Sequence, residues 1–243
     1  MFRHLLFLAL FLFSANSYAQ FTDSTHYSVN YAATGSINKT NDGNTYLINN
    51  AAKFGIKEKS FNLDFDNTWV YGKSNQALTN NDFSSTLDFN LYSNIPHFFY
   101  WGLANYNTSA SLKINNQLLA GAGVAYNILD TKTAYLNISD GILFDSSDLI
   151  LTDGVRDVYQ TYRNSLRLAF KFTIMKSIVL NSSSFYQPSL SKKDDYNLKS
   201  DSGLAFKLNK FLNLTTAFSY NRASRTDRDN LLFTYGLAFE KFF

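Results

Sequence analysis

The sequence contains no cysteine and only two prolines among its 243 residues. The absence of cysteine excludes disulfides, thiolate metal sites and cysteine nucleophiles. A formal net charge of +3 is too small to indicate a dedicated nucleic-acid-binding protein. The one long apolar run covers residues 5 to 13, which is shorter than the roughly 20 residues that a membrane-spanning helix needs. A bundle of membrane helices is therefore excluded.

Aromatic residues are abundant, with 23 Phe and 16 Tyr, and they alternate with polar residues. Residues 61 to 71 have a near-strict period of two, with apolar side chains mostly at odd positions, which indicates a β-strand and excludes a helix. Dividing the chain at turn signals predicts twelve strands. They are Tyr27 to Gly35, Thr45 to Ile56, Phe61 to Tyr71, Phe83 to Tyr92, Phe98 to Asn107, Gln117 to Ile128, Thr133 to Phe144, Val158 to Phe172, Ile178 to Tyr186, Tyr196 to Leu208, Phe211 to Asn221 and Leu231 to Phe243.

The predicted connections alternate between long polar segments and short turns. Bacterial transmembrane barrels have this rhythm, with long extracellular loops, short periplasmic turns, an even strand count and both termini in the periplasm. A soluble up-and-down barrel would turn its apolar face inward and would have no reason to place its long loops at one end. The long connections are Ser36 to Asn44, Gly72 to Asp82, Thr108 to Asn116, Asp145 to Asp157, Gln187 to Asp195 and Arg222 to Asn230. We therefore predict an all-β fold, a transmembrane antiparallel up-and-down barrel of about twelve strands.

Residues 1 to 19 have the features of a secretory signal peptide. Arg3 and His4 precede the apolar run, and small and polar residues follow it up to Ala19. We expect cleavage between Ala19 and Gln20. The predicted organisation is a signal peptide, residues 1 to 19, and an outer-membrane barrel domain, residues 20 to 243.

The final predicted strand carries an apolar stripe that ends on the last residue. It resembles the C-terminal recognition strand by which outer-membrane barrels engage their assembly machinery. The predicted assembly signal consists of Phe233, Tyr235, Leu237, Phe239 and Phe243. The barrel assembly machinery is thus a predicted partner.

Several segments carry a resemblance to a known family. These are residues 121 to 126 (Gly-Ala-Gly-Val-Ala-Tyr), 202 to 206 leading into 212 to 214 and 218 to 220, and 235 to 239 (Tyr-Gly-Leu-Ala-Phe). The chain resembles the YdiY-like family of small barrels, which are salt-induced outer-membrane proteins of unknown function. The resemblance implies the fold and the location, and it supplies no catalytic residue.

The residues do not predict an enzyme. A barrel hydrolase acting on lipids would need a Ser–His pair at the outer rim, whereas His26 and His97 both fall at predicted periplasmic strand ends. Two isolated histidines do not make a metal site, since catalytic zinc usually takes three protein ligands. The seventh connection is acidic, with Asp145, Asp148, Asp153 and Asp157. Its spacing differs from an EF-hand, so we predict a solvated loop, with divalent bridging at lipopolysaccharide as the alternative, and no metal or cofactor.

The face opposite the apolar stripe predicts a charged lumen that is close to balance. Its basic members are Lys53, Arg163, Arg167, Lys171, Lys199 and Lys207, and its acidic members are Asp64, Asp66, Asp88, Asp201 and Glu240. Twelve strands lie between the filled barrels of eight and the open channels of sixteen. Buried charges need partners, so we expect Arg163, Arg167 and Lys171 to pair with lumen carboxylates such as Asp64, Asp66, Asp88 and Asp201.

Asp140 is an exception on the predicted lipid face, between Ile138 and Ile142. An ionised carboxylate is costly in hydrocarbon. We therefore expect a β-bulge near Asp140 and Gly141 that turns this carboxylate inward.

The resulting functional prediction is a monomeric, non-enzymatic barrel of the outer membrane, in contact with outer-membrane lipids and lipopolysaccharide. It would act in envelope integrity or as a narrow, weakly selective conduit, without a nucleic-acid partner. Two alternatives stay open, namely an outer-membrane lipid hydrolase barrel and a soluble periplasmic binding barrel.

Overall fold

The computed structural model describes residues 26–39 and 43–242. Within them the chain forms thirteen strands and one 3-10 turn, Ser224–Thr226. The strands are β1 (Tyr27–Lys39), β2 (Asn44–Lys57), β3 (Phe61–Ser74), β4 (Ala77–Tyr92), β5 (Phe98–Ser109), β6 (Ile114–Asp130), β7 (Ala134–Ile150), β8 (Arg156–Asn164), β9 (Leu166–Ile174), β10 (Ile178–Pro188), β11 (Tyr196–Lys207), β12 (Leu212–Ala223) and β13 (Arg228–Phe242). The predicted signal peptide, its cleavage site and Phe243 lie outside the described residues.

The strands close into an antiparallel barrel. Apart from β8 and β9, strands that are neighbours in the chain pair with each other, and β1 pairs with β13, with Ala32 opposite Ala238. Strands β8 and β9 occupy one position in the barrel, because both continue the same register against β7 on either side of Ser165. The Ser165 amide still donates to the Gly141 carbonyl oxygen at 2.8 Å. The barrel thus has twelve strand positions, and the predicted fold and strand count are confirmed.

The barrel has two distinct ends. The near end holds His26, Phe242 and the turns from β2 to β3, β4 to β5, β6 to β7, β9 to β10 and β11 to β12; the far end holds the other turns. At the far end, β3 and β4 are joined only by Asn75 and Gln76, whose positive φ angles of 48° and 68° suit a tight hairpin. The predicted long loop from Gly72 to Asp82 is therefore mostly strand. The prediction of long loops was wrong. Polar residues indicate exposure to water, but a solvent-exposed segment can still be paired in a β-sheet.

Apolar side chains cover the outside of the barrel, in a surface that we call the apolar belt. On β13, the exposed fractions of Leu231, Phe233, Tyr235, Leu237 and Phe239 lie between 44% and 62%. The alternate positions point inward, and Ala238 is only 3% exposed. A soluble barrel would have the opposite polarity, so this belt is inconsistent with that alternative. No helix in the described ranges combines the length and hydropathy needed to span a membrane.

The expectation for Asp140 is wrong. Asp140 pairs regularly with Val124 on β6, with no bulge at that position, and its side chain is exposed on the outer surface. Asn164 Nδ2 donates to Asp140 Oδ1 at 2.7 Å. A neighbouring amide thus satisfies the carboxylate without a change of register.

Candidate functional site

A fully buried arginine lies at the far end of the barrel. Arg163 Nε donates to Asp145 Oδ2 at 2.6 Å, and Arg163 Nη2 donates to Asp195 Oδ1 at 2.9 Å. The side chains of Arg163 and Asp145 are 0% exposed and that of Asp195 is 2% exposed. Tyr159 bridges the group, accepting from Arg163 Nη2 at 3.0 Å and donating to Asp145 at 3.2 Å. Both carboxylates therefore share one guanidinium away from water.

A second arginine extends this group to the far-end turns. Arg225, in the 3-10 turn, donates from Nη1 to Asp195 at 3.0 Å and from Nε to Asp157 at 2.6 Å. Its guanidinium carbon lies 3.6 Å from the centroid of the Tyr159 ring, a cation–π contact. Burial by itself would lower the pKa of Arg225, but its hydrogen bonds to Asp157 and Asp195 raise that pKa above the ordinary arginine value. We call Asp145, Asp157, Tyr159, Arg163, Asp195 and Arg225 the far-end ion cluster.

A separate set of hydrogen bonds spans the same end of the lumen. Asp82 on β4 accepts from Ser109 Oγ and Ser111 Oγ, each at 2.8 Å. Asn230 on β13 donates to Ser111 Oγ at 2.9 Å and to Asp82 at 3.4 Å. Because β1 to β3 lie between β13 and β4 in the barrel, this contact crosses the opening. Two polar clusters therefore lie at the far end.

The acidic segment that was predicted to be a solvated loop contributes side chains to the far-end contacts. Asp145, Asp148 and Asp157 lie on β7 and β8, and only Asp153 lies in the turn. Asp148 pairs with Arg156 at 2.7 Å, so three of the four carboxylates are held by arginines. In the part of the chain that the structure describes, no group of three or more His, Asp or Glu side chains is arranged to hold a metal ion.

The middle layer of the lumen is charged and accessible to water. Lys53 lies 3.4 Å from both Asp64 and Asp66, and its side chain is 44% exposed. Arg167 lies 3.6 Å from Asp88. The middle layer consists of Lys53, Asp64, Asp66, Asp88, Arg167, Lys199 and Asp201. Water therefore reaches the lumen below the far-end ion cluster.

Lys199 and Asp201 belong to this layer by register. Phe185 on β10 lies opposite both Arg167 and Lys199. The Lys199 Nζ to Asp201 distance is 3.4 Å, and both side chains are 45% exposed. This pair is therefore open to solvent, unlike the buried pairs of the far end.

The near end of the lumen has less internal pairing. Lys171, Lys207 and Glu240 form no direct ion pair with any residue in the described ranges. Lys171 is exposed, and Lys207 and Glu240 are partly exposed. These three charged side chains are therefore accessible to solvent at the near end.

The predicted partners of Arg163 were wrong, and the predicted pairing of Lys171 is not found among the described residues, whereas Arg167 does lie beside Asp88. Arg163 lies four residues further toward the far end than Arg167, and there the inward carboxylates are those of Asp145 and Asp195. The sequence analysis placed Asp145 at the start of a loop. In the structure the strand continues, and Leu143, Asp145 and Ser147 all lie on its buried face. Asp195 and Arg225 lie in turns, and their proximity to Arg163 carries no local sequence signal.

An aromatic side chain that sequence reasoning missed also lies in the lumen. Trp101 on β5 donates its indole N–H to the carbonyl oxygens of Val124 and Asp140, at 3.2 and 3.3 Å. A Cβ placed on Gly123 or Gly141 would lie 2.7 or 2.5 Å from the indole ring. Only glycine at these two positions lets the ring lie against the wall formed by β6 and β7.

The remaining predicted residues lie away from the lumen or at its near end. Phe233, Tyr235, Leu237 and Phe239 point outward on β13, and Phe243 is outside the described residues. His26 lies 3.2 Å from Glu58, and His97 lies in the turn between β4 and β5, both at the near end. The structure therefore places neither histidine beside a far-end serine.

Comparisons with known proteins agree with this architecture. The family model described as "Protein of unknown function, DUF481" matches residues 22–239. No curated protein matches the chain. The solved "NanC porin structure in rhombohedral crystal form" is similar with a TM-score of 0.53 and 8% identity, over 88% of this chain and 98% of that chain. The COG4313 outer membrane channel from Pseudomonas putida F1 has a TM-score of 0.51 and 10% identity, over 96% and 100% of the two chains. The fold is thus that of outer-membrane barrels.

Proposed function

The chain belongs to the family described as "Protein of unknown function, DUF481", and we propose that it is an outer-membrane barrel that forms a narrow conduit with a closed outer end. Bacterial outer-membrane barrels keep both termini in the periplasm. The near end then faces the periplasm and the far end faces the cell exterior. The protein would act without enzymatic chemistry.

The contrast in burial along β8 and β9 carries this proposal. Arg163 is 0% exposed within the far-end ion cluster, while Arg167, four residues closer to the near end, is 32% exposed. A lumen that served only as a rigid core would be packed along its whole length. Here polar contacts close one level, and water reaches the charged levels below it.

The charges of the middle layer favour weak ion selectivity. Three cationic side chains, Lys53, Arg167 and Lys199, face four carboxylates, which nearly cancels the local charge. Strong selection between ions requires a ring of one sign. We therefore infer a passage for small solutes with little preference for the sign of their charge.

The proposal also specifies the partners of the barrel in the outer membrane. The apolar belt would contact outer-membrane lipids, and the far-end rim would contact lipopolysaccharide. The barrel would insert as a monomer, through recognition of Phe233, Tyr235, Leu237, Phe239 and Phe243 by the assembly machinery. The likeness to YdiY-like salt-induced proteins supports this location.

Planar-bilayer recording tests the conduit. We expect the native barrel to give small or absent single-channel steps, because the far-end ion cluster obstructs the lumen. Replacing Arg163, Asp145 and Asp195 together with serine removes the buried charges as a unit, which avoids an unpaired buried charge. We expect this triple variant to give clearly larger steps.

A matched control changes a charge pair that lies below the obstruction. The Lys199→Ser, Asp201→Ser variant also removes an ion pair from the lumen, but it leaves the far end intact, so its steps should stay as small as those of the native barrel. Heat-modifiable migration checks that each variant is folded. Native steps as large as those of a general porin would refute the closed conduit, and a folded triple variant that conducts no better would favour a purely structural role in the envelope.

A further inference from the structure

One side of the apolar belt carries polar side chains in its middle. Ile138 and Ile142 flank an aspartate on β7, and Leu180 and Tyr186 flank two serines on β10. We call the outward-pointing polar residues of β7 to β11 in this region the polar face. The polar face consists of Asp140, Asn164, Ser182, Ser184, Ser200 and Ser202. In an outer-membrane barrel that stands alone, these side chains meet hydrocarbon.

Asp140 receives fewer hydrogen bonds than a carboxylate can accept. Asn164 Nδ2 donates to its Oδ1 atom at 2.7 Å, and among the described residues no other group donates to this carboxylate. An ionised carboxylate has about four acceptor positions. An ionisable side chain in the membrane is costly and indicates a contact with a further partner. Asp140 therefore has room for donors from outside its own barrel.

The serines of the polar face have donors to spare. The hydroxyl oxygens of Ser182 and Ser202 are 2.8 Å apart, and so are those of Ser184 and Ser200. Each hydroxyl has one hydrogen, so each pair uses one hydrogen between its own members and leaves the other for a further acceptor. Within one barrel, β9 lies between these serines and Asp140. The acceptor that they fit belongs to another molecule.

Asp140 and the serines lie at the same depth on either side of β9. Strands of one barrel share a common tilt, so positions counted from the same end of the barrel compare depths. Asp140 is the seventh residue of β7 from the near end, and Ser184 is the seventh residue of β10 from the near end. Leu168, on β9 between them, is also the seventh residue from the near end of its strand.

We propose that the polar face is the contact between two copies of this chain in the outer membrane. All copies insert in one orientation, so the two-fold axis of the pair runs parallel to the membrane normal and preserves depth. With the axis over Leu168, Asp140 of each copy lies against Ser184 of the other. The spare hydroxyl hydrogens then donate to the carboxylate, and the symmetry forms this contact twice.

The pair is compatible with the insertion of single barrels. Leu168 contacts lipid in a single barrel and its own counterpart in the pair, so its surroundings are apolar in both states. The contact uses only the outer wall of the barrel. It therefore does not depend on whether the lumen conducts.

Disulfide trapping tests the position of the axis. Since the native chain has no cysteine, Leu168→Cys places one thiol on each copy, at the axis. In liposomes with a large excess of lipid, oxidation with copper phenanthroline should link most of this protein into dimers. Ala52→Cys is the control, because Ala52 is exposed outside β2, six strand positions from β9. It should form dimers only at the level of random collisions.

Substitutions in the Leu168→Cys background separate the polar contact from general hydrophobic pairing. Asp140→Leu removes the acceptor, and Ser182→Ala with Ser184→Ala removes the donors nearest the axis. Each change should lower the dimer yield about fivefold or more. Asn67→Ala with Ser85→Ala is the matched control, because these two residues pair on the outside of β3 and β4. It should leave the yield unchanged, and heat-modifiable migration checks that every variant is folded.

Counting of photobleaching steps gives a result that does not depend on disulfide geometry. One dye on each copy at Lys193→Cys, in an exposed far-end turn, should bleach in two steps per spot, and in one step when Asp140→Leu is added. Single-step spots without Asp140→Leu, two-step spots that persist with it, or equal trapping through Ala52→Cys and Leu168→Cys would overturn the proposal. Dimer yields that survive the serine substitutions would also overturn it.

Discussion

Replacing Arg163 with methionine is expected to lower the free energy of unfolding by about 3 to 5 kcal/mol, the usual cost of removing one partner from a buried ion pair. The substitution leaves the Asp145 carboxylate, which is 0% exposed, without its counter-charge, and Asp195, which is 2% exposed, keeps only Arg225. Tyr159 and Gln117 donate only neutral hydrogen bonds to Asp145. They cannot replace the guanidinium.

Arg156 provides the matched control in the same part of the barrel. It also bonds to an aspartate, Asp148, through two nitrogens at 2.9 and 2.7 Å, but its side chain is 69% exposed. Arg156→Met should cost about 1 kcal/mol or less, as expected for a surface ion pair. Urea titration of the barrel in liposomes gives both values. Equal losses of unfolding free energy in the two variants would mean that water reaches the far-end ion cluster.

Leu168→Arg is expected to destabilise the barrel by about 2 to 4 kcal/mol, the cost of a cation on the lipid face near the bilayer midplane. Leu168 is 48% exposed on the apolar belt, and its neighbours across the sheet are Ile138 and Ser184. An arginine in this position would place a charge on the apolar belt.

Asn181→Arg is the control for Leu168→Arg, because Asn181 lies nearby on the lumen side and is exposed there. A cation in a water-accessible lumen should cost less than one in lipid. Ser165 also faces the lumen, but it is 2% exposed and accepts a hydrogen bond from Gln187, so an arginine there would test packing. A larger loss for Asn181→Arg than for Leu168→Arg in a liposome folding titration would reverse the assignment of the two faces.

Alternation in the sequence was sufficient to predict the barrel, because a period of two assigns each residue to one face without any knowledge of contacts. Leu166 and Leu168 face outward, and Arg163, Arg167 and Lys171 face inward, as that period requires. Strand ends were predicted less well. Far-end residues such as Ser74 and Ala77 are paired in the sheet, although their polar surroundings were interpreted as a loop.

The far-end ion cluster could not be predicted, because it joins residues that are distant in the chain. Arg163 meets Asp195, 32 residues away, and Arg225 meets Asp157, 68 residues away. Which inward charges meet depends on strand stagger and on how far each strand extends, and neither is encoded in local periodicity. Asp145 was assigned to a loop for this reason, and the partners predicted for Arg163 belong to the middle layer and not to the far end. The Trp101 site was missed because glycine in a strand indicates a close approach without naming the side chain that fills it.

We propose above that the lumen is closed at the far end and open at the near end. Since the native chain has no cysteine, a variant with only Lys193→Cys and Asn181→Cys carries two defined thiols. Lys193 is exposed in the far-end turn between β10 and β11, and Asn181 is exposed in the lumen below the far-end ion cluster. The two thiols therefore lie on opposite sides of the obstruction.

The measurement is the intact mass of this double-cysteine protein in sealed liposomes after a membrane-impermeant thiol reagent is added outside only. A molecule with its far end outward should react at residue 193, and a molecule inserted the other way should react at residue 181. In either orientation we predict one label on each molecule, and two labels when the Arg163, Asp145 and Asp195 serine substitutions are added. Two labels on each molecule without those substitutions, or no label at residue 181 in either orientation, would contradict the account.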